Sequence, residues 1–172
     1  LFLLLLFPSS AFTVLRSDLT VEELREKNIS RTGDFDEMLR SKVIRVLIPY
    51  NKTFFFFDGA QPKGLSYDGA MLFGKFVNTR QKTKTVKIRI IVIPTSRDKL
   101  LSQVQAGYGD IAIGNLTITD ERRKIVDFSD PFLMDVSEIV ITNKKTAPIT
   151  SPFSLAGKEI YVRKSSSYYE SL

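Results

Sequence analysis

A polar loop directly after an apolar strand holds the residues of this chain that are best suited to bind a ligand. The apolar run ends at Ile113, and Asn115, Thr117 and Thr119 follow it with amide and hydroxyl groups. Arg122 comes one short turn later, where its planar guanidinium can form a bidentate bond to a carboxylate or phosphate. Ligands of open α/β sheets lie beyond the carboxyl ends of the strands. The spacing therefore favours an anion-binding loop, and a capped turn with a surface arginine is the alternative from these residues alone.

The composition excludes several kinds of chemistry. The chain has no Cys and no His, which removes thiol nucleophiles, zinc sites of the Cys/His type and His-dependent acid–base catalysis. Asp127 and Asp130 resemble a catalytic pair in their spacing alone. The neighbouring apolar residues and Pro131 indicate that they are turn and capping residues instead. We therefore expect no catalytic residue, no metal site and no cofactor in this sequence, and no cleavage of peptidoglycan by it.

The charge of the chain is moderately basic, with 25 Lys and Arg residues against 19 Asp and Glu residues. This surplus suits an anionic partner, a membrane surface or a wall polymer such as peptidoglycan. Nucleic acid is not expected, because no block of basic residues lies on a motif that reads DNA or RNA. One stretch without acidic residues suits a solvated face, with anionic lipid or cell wall as the alternative partner. Its basic residues are Lys75, Arg80, Lys82, Lys84, Lys87 and Arg89.

The amino-terminal residues are typical of an exported bacterial protein. Residues 1–7 are apolar, and Ser9 and Ala11 supply the small residues of a signal-peptidase site that cuts after Ala11. The apolar run is far shorter than the ~20 residues that cross a bilayer. Because neither Met nor a basic segment precedes it, we expect a sequence clipped at its start. A buried helix or strand is the alternative, and export implies the periplasm or the outer face of a bacterial membrane.

Helical and strand patterns alternate along the chain with short connections, which favours an α/β fold with a largely parallel sheet. The large apolar residues of the helix at 64–78 are expected on its packed side; they are Leu65, Leu72, Phe73, Phe76 and Val77. Strands are predicted at 43–48, 54–57, 86–93, 110–113, 125–128 and 159–162, with a further extended segment at 137–142. Helices are predicted at 21–27, 34–41, 64–78 and 97–106, at a turn over 152–156 and from about Ser166, with Asp34 and Ser96 as caps.

The chain divides into one nearly complete unit and the start of another. A signal peptide at 1–11 and a leader at 12–33 precede the first unit, which covers 34–142. Residues 143–152 are polar and contain two prolines, which is typical of a connector. Residues 153–172 begin the second unit, and we expect them to be poorly anchored because its remaining strands are absent.

The stretch from Gly109 to Phe132 resembles the strongest signature of the bacterial extracellular solute-binding proteins of family 3. Its matching parts are Gly109-Asp110, the Asn-Leu-Thr-Ile-Thr loop at 115–119, Arg122 and the Phe-Ser-Asp-Pro-Phe run at 128–132. Similar stretches at 43–49, 64–68 and 157–162 extend the resemblance to about 130 of the 172 residues. The resemblance implies a type 2 periplasmic binding fold. This fold is α/β with two lobes and mostly parallel sheets, and here the second lobe is truncated.

The resemblance also implies roles for residues of the first lobe. Arg122 would clamp the carboxylate of the ligand, and Asn115 and Thr117 would supply further hydrogen bonds to the same group. Tyr50 and Phe54 take the places of aromatic residues that line the cleft. Arg97 stands where the family often has an aromatic shelf, which suggests a larger or more anionic ligand such as a muropeptide. A solvated helix residue is the alternative for Arg97.

In the second lobe, Ser166 and Ser167 take the place of the family's helix start, whose free amides and hydroxyls bind anions. Ser165 replaces the usual glycine there, so close approach of the backbone to a ligand is in doubt. Simple capping of the helix is the alternative for this serine run.

Residues 96–101, 115–119 and 161–172 are similar to one branch of the family, in which the binding module precedes a lytic transglycosylase domain. The resemblance implies an exported module that holds a carboxylate-bearing small molecule, such as an amino acid or muropeptide. Its partner would be a membrane transporter or a fused transglycosylase domain. Alternatively, the chain is the regulatory module of a transglycosylase whose catalytic domain lies downstream and cleaves peptidoglycan. Glu170-Ser171 matches the transglycosylase signature by chance, because it lies in the binding lobe.

Overall fold

A computed structural model describes residues 30–172. The signal peptide expected at 1–11, the helix expected at 21–27 and most of the leader therefore lie outside the described residues. The elements are, in chain order, α1 (Phe35–Ser41), β1 (Val43–Pro49), β2 (Phe56–Asp58), β3 (Gln61–Lys63), α2 (Leu65–Arg80), β4 (Arg89–Thr95), α3 (Leu100–Gln105), β5 (Ile111–Ala112), α4 (Asp120–Arg123) and α5 (Ser167–Glu170). Two short 3-10 helices lie at Arg97–Lys99 and Pro152–Leu155.

The most apolar strand, β1, lies in the middle of a three-stranded parallel sheet in the order β4-β1-β5. Ile44, Val46, Leu47 and Ile48 are all fully buried. Both faces of a central parallel strand are covered, which is why its apolar residues run almost without interruption. The predicted α/β class with a parallel sheet is confirmed.

Helix α2 packs on the sheet through its small residues. Leu65, Leu72 and Phe76 were expected on the packed side, and this is wrong, because they are 72%, 62% and 58% exposed. A Cβ at Gly74 would lie 2.6 Å from Cγ1 of Ile90, so the helix approaches β4 too closely for large side chains. The buried residues of α2 are Ser66, Ala70, Gly74 and Val77.

Several strand predictions need correction. No strand forms at 125–128, 137–142 or 159–162, and β4 begins at Arg89 rather than 86. Short apolar runs become strands only where a neighbouring strand offers backbone hydrogen bonds, and these segments have none. The hairpin partner β3 was missed; it pairs antiparallel with β2 across the turn after Asp58.

Two helices begin where the sequence predicted, but the predicted capping hydrogen bonds do not form. Helix α1 follows Asp34 and the 3-10 helix follows Ser96, as expected. Neither side chain makes a capping hydrogen bond, so both residues mark a change of backbone direction without a side-chain cap.

Candidate functional site

A cavity of about 670 Å³ lies beyond the carboxyl ends of β1 and β4. This is the edge of a parallel sheet at which ligands of α/β proteins bind. Its walls come from the two strand ends, the first aromatic run, the 3-10 helix and one residue of the last segment. The lining residues are Pro49, Tyr50, Asn51, Phe54, Pro94, Thr95, Ser96, Arg97, Asp98 and Arg163.

Arg97 forms one wall of this cavity and is held there on two sides. Its Nη1 donates to the carbonyl of Gly114 at 2.5 Å, and its Nη2 donates to the carbonyl of Asn115 at 2.8 Å. The guanidinium carbon lies 5.8 Å from the ring centroid of Phe54, within the range of a cation–π contact. Arg97 is therefore not a freely solvated helix residue.

The aromatic run divides between the cavity and the core at Phe54 and Phe55, which lie in a turn and an isolated bridge, because the strand predicted at 54–57 begins only at Phe56. Phe54 and Tyr50 line the cavity, while Phe55 is 3% exposed. Tyr50 meets the Phe55 ring edge-on at 5.9 Å, and Tyr67 stacks on it at 5.8 Å. The core thus fixes the backbone from which the two cavity rings project.

Arg122 is buried, and its guanidinium bonds to one carboxylate and two backbone carbonyls. Nε donates to Oε1 of Glu170 at 3.1 Å, and Nη2 lies 3.0 Å from the same oxygen. Nη1 donates to the carbonyl of Thr117 at 3.0 Å and Nη2 to that of Ser165 at 3.2 Å. Thr119 caps α4 by accepting from the Arg122 N–H and donates to Oε2 of Glu170 at 3.0 Å. Both oxygens of one carboxylate are thus bound.

The three serines of the last segment make different contacts. The hydroxyl of Ser167 bonds the hydroxyl of Thr117 at 3.1 Å, beside the Arg122 group. Ser166 donates from its hydroxyl to the carbonyl of Arg163 at 2.6 Å and makes no capping bond to α5. Ser165 contributes only its carbonyl to Arg122. Of the serines predicted in the site, Ser167 bonds to Thr117 beside Arg122, whereas the Ser166 hydroxyl bonds to the Arg163 carbonyl.

Most residues predicted from the sequence thus fall into two adjoining groups. Arg122, Thr117 and Ser167 form one group. Arg97, Phe54, Tyr50 and the backbone of Asn115 form the other, at the cavity. Asn115 has a positive φ of 51°, a conformation in which Asn is favoured over most residues. Its carbonyl is bound by Arg97, and its side chain is exposed.

The Gly109-Asp110 pair of the signature positions the loop without being part of the site. A Cβ at Gly109 would overlap the Leu47 side chain, so only glycine lets the chain enter β5 so close to β1. Asp110 accepts from the backbone N–H and the guanidinium of Arg45, both at 2.7 Å, and from Arg31 at 3.3 Å. Burial raises the pKa of Asp110, but these hydrogen bonds and charges outweigh it, so its pKa lies below the ordinary value.

Two further residues contact the site: Arg163, which the sequence analysis did not single out, and Glu170, which it treated as a chance match to another signature. Burial lowers the pKa of Arg97, followed by the positive charges of Arg163 and Arg122, with Tyr168 opposing them. Three guanidinium groups therefore act on one region. Glu170 had a visible signal, because Ser167-Tyr-Tyr-Glu170 has the spacing of a capping box, yet its carboxylate turns to Arg122.

The described part of the chain holds neither a metal-binding cluster nor a membrane-spanning helix. Within residues 30–172, no group of three or more acidic side chains could hold a metal ion. No helix in the same range is long and apolar enough to cross a membrane.

Known proteins resemble this chain over more than half of its length. The chain is 30% identical over 129 residues to membrane-bound lytic murein transglycosylase F of Desulfosudis oleivorans, which covers 75% of this chain and 26% of that protein. It is 27% identical over 103 residues to the L-cystine-binding protein TcyJ of Escherichia coli, covering 60% and 39%. It therefore spans well under half of either relative. An ancestral cyclohexadienyl dehydratase has a TM-score of 0.49 and 30% identity, over 60% of this chain and 40% of that one.

The family model of the bacterial extracellular solute-binding proteins, family 3, matches residues 43–170. This range runs from the first strand of the sheet to the Glu170 that holds Arg122. It contains the cavity, the polar loop and the signature on which the resemblance was first based, and that resemblance is confirmed. The chain belongs to the bacterial extracellular solute-binding proteins of family 3.

Proposed function

We propose that this chain is the clamp of an exported binding module and holds a small ligand by its carboxylate. The observation that carries the proposal is the buried guanidinium of Arg122. It binds one oxygen of the Glu170 carboxylate, while the Thr119 hydroxyl binds the other. The carboxylate of a ligand has the same charge and shape, and pairs of this kind are strong and directional. A ligand carboxylate can therefore replace Glu170 on the same donors.

The adjoining cavity supports a ligand that is larger than its carboxylate. It offers the rings of Tyr50 and Phe54 for apolar contact and the charges of Arg97 and Arg163 for a second anionic group. Fixed positive groups in a concave site raise the local concentration of anions. An amino acid satisfies the carboxylate site, in keeping with the L-cystine-binding relative. A muropeptide also satisfies the carboxylate site and brings further acidic groups to the cavity.

A second function is favoured by one observation, the similarity of 75% of this chain to a lytic murein transglycosylase. In that case the chain is the regulatory module of a peptidoglycan-cleaving enzyme. A muropeptide bound at Arg122 would report cleavage products to a catalytic domain downstream. The first function has a membrane transporter as the partner instead.

Calorimetry on the purified full-length protein, with amino acids and muropeptides as ligands, tests the carboxylate clamp. Arg122→Ala should weaken binding about ten- to a hundredfold, since a charge-assisted bond contributes roughly 1.5–3 kcal/mol. Arg123→Ala is the matched control, because the neighbouring Arg123 is exposed and should leave affinity unchanged. Equal affinity of the Arg122→Ala variant and the unsubstituted protein would reject the proposal.

The same variants separate the two functions. If the chain regulates a transglycosylase, added muropeptide should change the rate at which the full-length protein releases products from murein sacculi. Arg122→Ala should abolish that change and leave the basal rate intact. A basal rate that never responds to muropeptide, together with tight amino-acid binding, would leave the transport receptor as the function.

A further inference from the structure

The outward side of α2 carries a row of exposed apolar residues that the carboxylate site does not use. Leu65, Leu72 and Phe76 are 72%, 62% and 58% exposed. Their spacing of seven and four residues places them on one line along the helix. The line faces away from the sheet, because the buried residues of α2 lie on its other side. A helix on a protein surface normally presents polar residues on this side.

Basic residues follow this row along the chain, and the one acidic residue of α2 is Asp68, near the start of the helix. The sequence contains no Asp or Glu between Asp68 and Asp98. Lys75 lies on α2 next to Phe76 in sequence, and Lys82, Lys84 and Lys87 lie in the segment that follows the helix. None of these four takes part in any ion pair found within residues 30–172. Their charges are therefore directed to whatever lies outside.

A groove of about 980 Å³ runs between α2 and the start of β4, with these four lysines on its rim. Its floor includes Met71 and Ile90. Asn78 fixes the rim: its Nδ2 donates to the carbonyl of Ile88 at 2.8 Å, and its Oδ1 accepts from the Ile88 N–H at 2.8 Å and the Thr83 hydroxyl at 2.7 Å. The turn that carries the lysines is thus tied to both elements.

We propose that this α2 surface, the outward side of α2 with the turn at 81–88, binds membranes that contain anionic phospholipids. Phe76 and Leu72 enter the boundary between headgroups and acyl chains, and the lysines pair with phosphates. Interfacial helices bind by this combination of apolar area and basic charge. An anionic wall polymer would match the lysines alone and leave the apolar row without a contact. Lipid accounts for both features.

Sedimentation of the full-length protein with vesicles tests the proposal. Binding should occur with vesicles of phosphatidylcholine plus phosphatidylglycerol, be absent with phosphatidylcholine alone, and weaken with salt. Replacing Lys75, Lys82, Lys84 and Lys87 together by Gln should weaken binding about a hundredfold or more, because each basic residue near such a surface contributes about a factor of five. Replacing the exposed Lys52, Lys144, Lys145 and Lys158 lowers the net charge equally and should leave binding nearly unchanged.

A reporter variant keeps the test independent of the lysines. The tryptophan emission of Phe76→Trp, taken as the spectrum of the variant minus that of the unsubstituted protein, should shift to the blue on anionic vesicles. The same difference spectrum of Tyr161→Trp, at another exposed position, should not shift. The proposal is overturned by the absence of vesicle binding, by equal losses in the two lysine variants, by an unshifted Phe76→Trp emission, or by binding to purified wall polymer alone.

Discussion

Two regions of this molecule are held in place by different forces. In the sheet block, residues 43–114, the strand β1 is enclosed on both faces, with Leu47 and Ile48 fully buried. In the tail segment, residues 129–172, Ser167 is the one buried residue. Large apolar side chains such as Phe132 and Phe153 are 95% and 90% exposed there. The first region rests on burial of apolar surface and the second on polar bonds.

The difference bears on how a ligand acts. Burial in the sheet block persists whatever lies at Arg122, because none of that apolar surface depends on the loop. The tail segment reaches the loop and α4 through Glu170, Ser165 and Ser167, and two of their four hydrogen bonds involve Arg122. Regions with little buried apolar surface open most easily. If a ligand takes the place of Glu170, as proposed, we expect the tail segment to change first and the sheet block to stay as it is.

The largest expected effect comes from truncating the sheet block. Leu47→Ala should lower the free energy of unfolding by about 3–4 kcal/mol, through lost burial and the cavity left behind. Ile141→Ala in the tail segment should change it by less than about 0.5 kcal/mol, because Ile141 is 88% exposed. Urea unfolding followed by circular dichroism measures both. Equal losses would mean that the two regions are stabilised in the same way.

A smaller loss is expected at the ionic group that Asp110, just before β5, forms with Arg45 and Arg31. Asp110→Asn should lower stability by about 2 kcal/mol, because the half-buried Arg45 and Arg31 lose the carboxylate charge that they share while one hydrogen-bond acceptor remains. Asp127→Asn is the control, since Asp127 is exposed and has no bonded partner among the described residues. Urea unfolding at neutral pH compares the two, and a control loss as large as the Asp110 loss would contradict the assignment.

The Asp110 group also predicts a pH dependence with a definite sign. Its pKa in the folded chain lies below the reference value of 3.8. The stabilisation is therefore complete above pH 3.8 and is lost as the pH falls through the folded pKa. Acid titration of unfolding should show a steeper loss below this pH in the unsubstituted protein than in Asp110→Asn. Parallel curves would show that Asp110 is not the group responsible.

Sequence patterns located the sheet block well, for a physical reason. A nearly continuous apolar run such as Val43–Pro49 favours a buried strand, and the Gly109–Arg122 spacing indicated the loop that follows β5. What the patterns could not supply was the tightness of packing. Helix α2 was oriented by its large residues, whereas the close approach at Gly74 selects small ones. The hydrophobic pattern of a helix does not show how closely the neighbouring strand packs against it.

The sequence predicted which residue types form the site, but it did not predict which residues contact one another there. Arg122 was recognised from its distance along the loop. Glu170 lies 48 residues away, and no periodicity in the sequence connects residues so far apart. Arg163 was missed for the same reason, since it reaches the cavity only through the path of the tail segment. The residues within one turn of the signature were predictable, and those brought by the fold were not.

A smaller effect should arise where the two regions meet. Glu170→Gln removes the charge that Arg122 holds, so amide exchange at 165–171 should rise about fivefold, corresponding to roughly 1 kcal/mol for a partly exposed pair. Exchange at 43–49 should not change. Glu159→Gln is the matched control, because its carboxylate bonds only to Tyr161 within the tail segment. Hydrogen exchange with mass spectrometry measures both regions at once. Faster exchange throughout the sheet block would show that its stability depends on the tail segment.

The smallest expected effect comes from substitutions within the sheet block, on the packed and the open sides of helix α2. A Cβ added at Gly69 would meet no atom within 4 Å, so Gly69→Ala should stabilise the protein by about 0.5–1 kcal/mol through lower chain entropy in the unfolded state. Gly74→Ala should do the reverse, because Ile90 lies 2.6 Å from the position that its Cβ would take and must move. Thermal unfolding of the two variants compares the sides directly. If both substitutions stabilise the protein, helix α2 lies farther from β4 than this packing requires. That result would contradict the conclusion that α2 packs on the sheet through its small residues.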